Sequence, residues 1–115
     1  MDEEDEENEQ NSVTFEKRVT LFATADKETD WKVVAQGDLM ICIDPNIFAE
    51  RVMLKADGTG EILSNTVISM DTQMQMEGKT CIWTAIDYSL EPPTKRTLKA
   101  TFSSVHSAQE LYSHF

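Results

Sequence analysis

Residues 51–64, Arg51-Val52-Met53-Leu54-Lys55-Ala56-Asp57-Gly58-Thr59-Gly60-Glu61-Ile62-Leu63-Ser64, hold two short apolar stretches around a compact polar turn. An aspartate-glycine step with a second glycine two residues on supplies the backbone freedom a tight hairpin needs. Residues 51–55 and 61–64 are therefore expected to pair as antiparallel strands, with Val67 and Ile68 continuing the second beyond Asn65. Upstream, residues 39–43 form a continuous apolar strand closed by Asp44-Pro45-Asn46, a combination that favours turns. Residues 31–35 read as a separate strand, broken from the next by Gly37-Asp38. Earlier still, Val13, Phe15, Val19 and Leu21 alternate with Thr14, Glu16, Arg18 and Thr20, the period of a half-buried strand.

Downstream of the hairpin, residues 70–78 hold three methionines and read as a longer connection or an edge. Residues 81–87 are a strand, and Glu91-Pro92-Pro93 ends it because proline cannot feed a sheet ladder. Residues 97–102 are the last strand. The period then changes: Ala108, Leu111, Tyr112 and Phe115 fall on one helical stripe. Either Ser104 or Ser107 caps that helix, and Ser107 with Glu110 has the spacing of a capping box. About seven short strands and one amphipathic helix make the chain mainly β. A bent seven-stranded barrel or sandwich of the pleckstrin-homology type, its open end capped by the helix, would bury that stripe.

The 115 residues allow one domain. Net charge is −11, and seven of the 21 acids lie in residues 2–9, where no base occurs. Residues 1–10 thus read as an acidic arm ahead of a domain at 11–115, which is only mildly acidic. Such a charge repels nucleic acid and anionic membranes and suits a basic partner protein; the arm otherwise serves solubility alone. No apolar run approaches a membrane span, and the N-terminus lacks the basic flank of a signal peptide, so a soluble intracellular protein is expected. Cys42 and Cys81 sit inside apolar strands and read as reduced core thiols rather than a disulfide.

Catalytic chemistry finds no support. His106 and His114 stand about 12 Å apart along a helix, too far to share a metal, and read as surface histidines. Gly58 and Gly60 lack the following lysine and hydroxyl of a phosphate loop. No metal or cofactor is expected. Met70, Met74 and Met76 either fill core gaps or form an adaptable surface. Trp31 and Trp83 are either core fillers or exposed anchors.

With these segments laid out, the chain resembles the Ran-binding domain family across residues 13–115. Val19-Thr20-Leu21-Phe22 is similar to its "A-K-L-F/Y" strand, and Trp31-Lys32 with Gly37-Asp38-Leu39 to "W-K-E-R-G-x-G-x-L". Residues 51–57 match "R-L-L-M-R-R-D", Ile62-Leu63-Ser64-Asn65 matches "I-C-A-N", and residues 81–88 are similar to "W-x-W-x-A-x-D-F". Phe102 with Ala108, Glu110 and Phe115 resembles the family's closing helix, a match that puts the cap at Ser104. The chain is similar to divergent members of the Ran-binding protein 3 and Ran-binding nucleoporin type, and Thr72-Gln73-Met74-Gln75-Met76 and Thr84-Ala85-Ile86-Asp87 resemble the former in particular.

The resemblance implies the pleckstrin-homology type of fold and non-catalytic binding of Ran in its GTP state, in or near nuclear transport. Importin or exportin carriers would then be reached through a Ran complex, and the location would be the nucleus, the nuclear pore or the cytoplasm. It implies that Ran's acidic tail meets Lys32, Arg51 and Lys55, with Asn65, Trp31 and Trp83 as polar contact and packing support. The arm residues Glu3, Glu4, Asp5, Glu6, Glu7 and Glu9 would reach a basic patch on Ran. Val34 and Ala56 stand where the family pattern has arginines, and Cys81 where it has a tryptophan; weaker Ran binding is expected. The competing reading is a pleckstrin-like scaffold that has lost Ran and recognises a peptide, for instance a proline-rich one, on exposed aromatics.

Overall fold

The computed structural model describes residues 13–24, 30–44, 46, 49–69 and 72–114. Seven strands, β1 (Val13–Thr24), β2 (Lys32–Asp44), β3 (Ala49–Ala56), β4 (Ile62–Ile68), β5 (Met74–Glu77), β6 (Thr80–Asp87) and β7 (Thr94–Phe102), precede one helix, α1 (Val105–Tyr112). All pairings are antiparallel in the order β4-β3-β2-β1-β7-β6-β5, and a Thr66–Asp87 pairing between β4 and β6 closes the sheet on itself. This is the helix-capped seven-stranded architecture expected from the sequence. Alternation places Leu21, Leu39, Ile41, Val52, Leu54, Trp83, Leu98 and Ala100 inside, and Ala108 and Leu111 of α1 join them. The helix packs on β5, β6 and β7. Phe15 meets Phe102 edge-on at 6.3 Å at that same end of the barrel.

Several expectations need correction. Gly37-Asp38 does not break a strand, because β2 runs unbroken from Lys32 to Asp44. Gly37 is buried opposite Ala56, and a Cβ there would stand 2.1 Å from the Lys55 carbonyl oxygen. Its glycine serves a close approach of two strands rather than a turn. Trp31 lies just ahead of β2, outside the strand. β7 begins at Thr94, directly after the proline pair, because Lys95 and Arg96 already pair with Ile86 and Ala85. A register shift between Val13 and Phe15 leaves Val13 exposed where alternation had placed it inside.

At the helix, the cap is Ser104, whose hydroxyl accepts the Ser107 amide at 3.1 Å. The Ser107–Glu110 capping box is absent; Glu110 instead meets Lys17 Nζ at 3.2 Å. Tyr112 of the expected apolar stripe is exposed, and Phe115 lies outside the described residues. His106 is exposed, but His114 is half-buried, edge-on to Phe15 at 5.8 Å and 3.6 Å from a Glu50 carboxylate oxygen. The methionine-rich stretch does hold an edge strand, β5, with Met74 buried and Met76 packed on the core, while Met70 lies outside the described residues. Both cysteines are free and buried.

Candidate partner-binding surfaces

With α1 at one end of the barrel, the other end opens. There the end of β1, the starts of β2, β4 and β7 and the β6–β7 turn surround a cavity of about 690 Å³. Its lining is mixed: Ala23, Val33, Val34, Leu63 and Leu90 are apolar, Lys32 and Lys95 bring positive charge, and Asp30 brings negative charge.

Below this mouth sits a buried polar network. Asp87 is 0% exposed and accepts from Ser64 Oγ at 2.9 Å, the Asn65 amide at 2.9 Å, Ser89 Oγ at 2.6 Å and Arg96 Nε at 2.9 Å. Arg96 Nη2 adds a 2.8 Å contact and also donates to the Leu63 carbonyl. Burial alone would raise the Asp87 pKa, but the hydrogen bonds from Ser89, Asn65 and Arg96 outweigh it and hold the carboxyl below its ordinary value. The network ties β4, β6 and β7 together, and Arg96 is spent on that task.

The cations singled out from sequence do not share one face. Lys32 opposes Ala23 at the start of β2, Lys55 opposes Asp38, and Arg51 opposes Cys42. Along β2 those places are separated by about 20 and 33 Å at the usual rise per residue. Arg51 is committed within its own cluster: Nε donates to Asp44 at 3.0 Å, Nη1 to Asn65 at 3.2 Å, and the guanidinium lies 5.7 Å from the Tyr88 ring centre. Asn65 therefore orients Arg51. Trp83 is 2% exposed, its indole N–H donating to Thr66 at 3.2 Å, so it supports the sheet from inside. The arm residues Glu3 to Glu9 lie outside the described residues.

Other arginines are occupied too. Arg18 makes two 2.6 Å bonds to Asp57 and reaches Asp38 at 3.3 Å. These bonds raise the Arg18 pKa further and hold the Asp57 carboxyl below its usual value. Among the described residues, Lys32, Lys55, Lys79, Lys95 and Lys99 take part in no ion pair. Lys99, which sequence reading passed over, has its ammonium 4.8 Å from the Phe22 ring centre and 4.6 Å from that of Trp31. Neither Lys95 nor Lys99 carries a local signal; strand register alone puts them beside aromatics and the mouth. The Asp87–Arg96 pair was equally invisible, since a strand-ending aspartate says nothing about a partner on the next strand.

Comparison with known proteins gives two kinds of match. A family model described as the RanBP1 domain matches residues 3–115. Among solved structures, the fold is similar to the Ran-binding domain of the nuclear complex component Nup2 from Ashbya gossypii. That likeness has 16% identity and a TM-score of 0.71, covering 90% of each chain. It is also similar to the Dm DCP1 EVH1 domain solved with the XRN1 DBM peptide, at 9% identity and a TM-score of 0.64, covering 94% of this chain and 77% of that one. At such identities the likeness is one of fold. No curated protein sequence matches the chain.

Proposed function

This chain belongs to the RanBP1 domain family, and on that premise we propose that it binds the GTPase Ran in its GTP-bound state, without catalysis, as a cofactor or regulator of nucleocytoplasmic transport. The observation that carries the reading is the family match across residues 3–115, joined to a barrel like that of a nucleoporin Ran-binding domain. Carriers of the importin or exportin class would be met through the Ran complex, at the nuclear pore or on either side of it.

Electrostatics shape how such binding works. The acidic arm, including Glu3, Glu4, Asp5, Glu6, Glu7 and Glu9, offers long-range attraction to a basic patch on Ran. Lysines that take part in no ion pair among the described residues, Lys32 and Lys55 among them, offer the same to Ran's acidic tail. Arg51 adds less, because Asp44 neutralises it. Ala56 faces the core opposite Gly37, so the place where the family pattern has an arginine carries no outward side chain here. Val34 is half-buried against the core. Binding weaker than that of arginine-rich relatives follows.

Titration with Ran-GTP, Ran-GDP and Ran lacking its acidic tail tests this. Saturable binding to Ran-GTP that fades with the other two supports the reading. Equal binding to all three, or none, rejects it.

A further inference from the structure

The cavity of about 690 Å³ at the open end of the barrel lies within the range, about 300–1,000 Å³, in which small-molecule sites fall. Its apolar wall is assembled from four separate elements: Ala23 of β1, Val34 of β2, Leu63 of β4 and Leu90 of the β6–β7 turn. Val33, 63% exposed, lines it as well. Apolar surface around a hollow lacks the packing partners that a filled core supplies and meets water instead. A ligand with an apolar body recovers both losses.

The polar groups of the lining narrow the choice of ligand. Ser89 Oγ already donates to Asp87 at 2.6 Å, and Thr94 Oγ1 donates to the Pro92 carbonyl at 2.8 Å. Arg96 has Nε and Nη2 fixed on Asp87 and the Leu63 carbonyl, and the buried Asp87 carboxylate cancels its charge. There remain the ammoniums of Lys32 and Lys95 and the single carboxylate of Asp30. None of these three is in an ion pair among the described residues. The mouth thus carries one positive charge in excess, above apolar walls, in a chain whose net charge is −11. It repels cations, offers a neutral polar molecule few open hydrogen-bonding groups, and balances one negative charge rather than several.

We propose that the mouth of the barrel is a binding site for a small monoanionic amphiphile, an alkyl carboxylate of medium chain length. The alkyl chain packs on Ala23, Val34, Leu63 and Leu90, and the carboxylate stays at the rim beside the Lys32 and Lys95 ammoniums. Water still reaches it there, which keeps the cost of holding the charge low. A carboxylate pushed down to Arg96 would instead meet the Asp87 carboxylate, and that repulsion sets the orientation, tail inward and head outward. The site lies within the barrel's mouth rather than on the outer face of the sheet. It goes beyond the Ran reading and does not rest on it, so a chain that ignores Ran-GTP yet takes the alkyl carboxylate rejects only the former.

The probes are saturated fatty acids of eight to fourteen carbons, kept monomeric and titrated into the full chain by calorimetry, with the alcohol and the trimethylammonium of the same chain lengths as comparisons. One acid per chain is expected to bind, tightening about fourfold per added methylene until the mouth is filled and then levelling off. The alcohols should bind more weakly and the cations more weakly still. Bound acid should raise the melting temperature. Backbone amide resonances of Ala23, Val34, Leu63 and Leu90 should shift, while those of Ala108 and Leu111, at the helix end of the barrel, stay in place. Lys95→Glu, at an exposed site, should weaken the acids about fivefold and leave the alcohols unchanged. Val33→Asp, also exposed, should weaken every chain length, and Lys79→Glu, in the β5–β6 turn, none. The proposal is overturned if no acid binds, if the alcohols bind as tightly as the acids, or if the shifts centre on α1. Association with phosphatidylserine vesicles but not with monomeric acids overturns it as well.

Discussion

Asp87 is fully buried, yet it keeps its charge because four donors from Ser64, Asn65 and Ser89, together with Arg96, replace the water it has lost. Its folded pKa lies below the unfolded value near 3.8, so ionisation stabilises the fold fully above that value. That contribution disappears as pH falls through the depressed folded pKa. Urea midpoints should be flat from neutrality down to about pH 5 and fall steeply below about pH 4; an Asp87→Asn protein should lose much of that acid slope. Asp87→Ala should cost about 3–5 kcal/mol, since Arg96 is then left nearly buried without its counter-charge. A cost under 1 kcal/mol would mean that Arg96 finds water instead. The buried thiols behave in the opposite sense, because burial disfavours their charged form. It pushes Cys81 up to about 11, and burial followed by the Glu16 carboxylate raises Cys42. Iodoacetamide at pH 8 should therefore leave both unmodified in the folded protein and label both in urea. Rapid labelling of folded Cys42 would contradict its burial. The cysteines' core setting was readable from their apolar neighbours. Asp87 was not, because two of its donors, Arg96 and Ser64, lie 9 and 23 residues away on other strands.

At the scale of the element, local signals were legible and non-local ones were not. The turn at residues 57–60 shows in sequence because its glycines must take positive φ, and both Gly58 and Gly60 do. Gly37 was misread as a breaker because the atom that requires glycine, the Lys55 carbonyl oxygen, belongs to another strand. Gly37→Ala should consequently cost about 1–3 kcal/mol by forcing β2 and β3 apart, although alanine ordinarily suits regular structure better than glycine. Urea denaturation decides the matter, and a neutral or stabilising result would show that the strands yield freely. The cap of α1 gives a second contrast. Ser104→Ala removes the acceptor for the Ser107 amide and should cost about 1 kcal/mol. Ser107→Ala removes no cap and should cost less. The reverse order would restore the Ser107–Glu110 box that spacing alone suggested.

Across the whole molecule, charge is sorted rather than spread. Arg18, Arg51 and Arg96 each sit on an aspartate, whereas the positive groups without an ion pair among the described residues are lysines, two of them at the mouth. Which cations would be free was beyond the sequence, since the acids that capture them come from other strands; that positive residues existed in a family-like order was plain. The arm is the counterweight, holding seven of the 21 acids. If it steers the encounter with Ran, deleting residues 2–9, which takes the net charge from −11 to −4, should slow association at low salt and flatten its salt dependence. The rates of the two proteins should converge in about 1 M salt, where screening shrinks to roughly 3 Å. Dissociation should change less, because steering acts on the approach to the complex more than on the contacts inside it. Stopped-flow mixing with Ran-GTP at several salt concentrations separates the two rates. An association rate that ignores the deletion at low salt would reduce the arm to a solubilising segment and leave the barrel's lysines to supply the attraction alone.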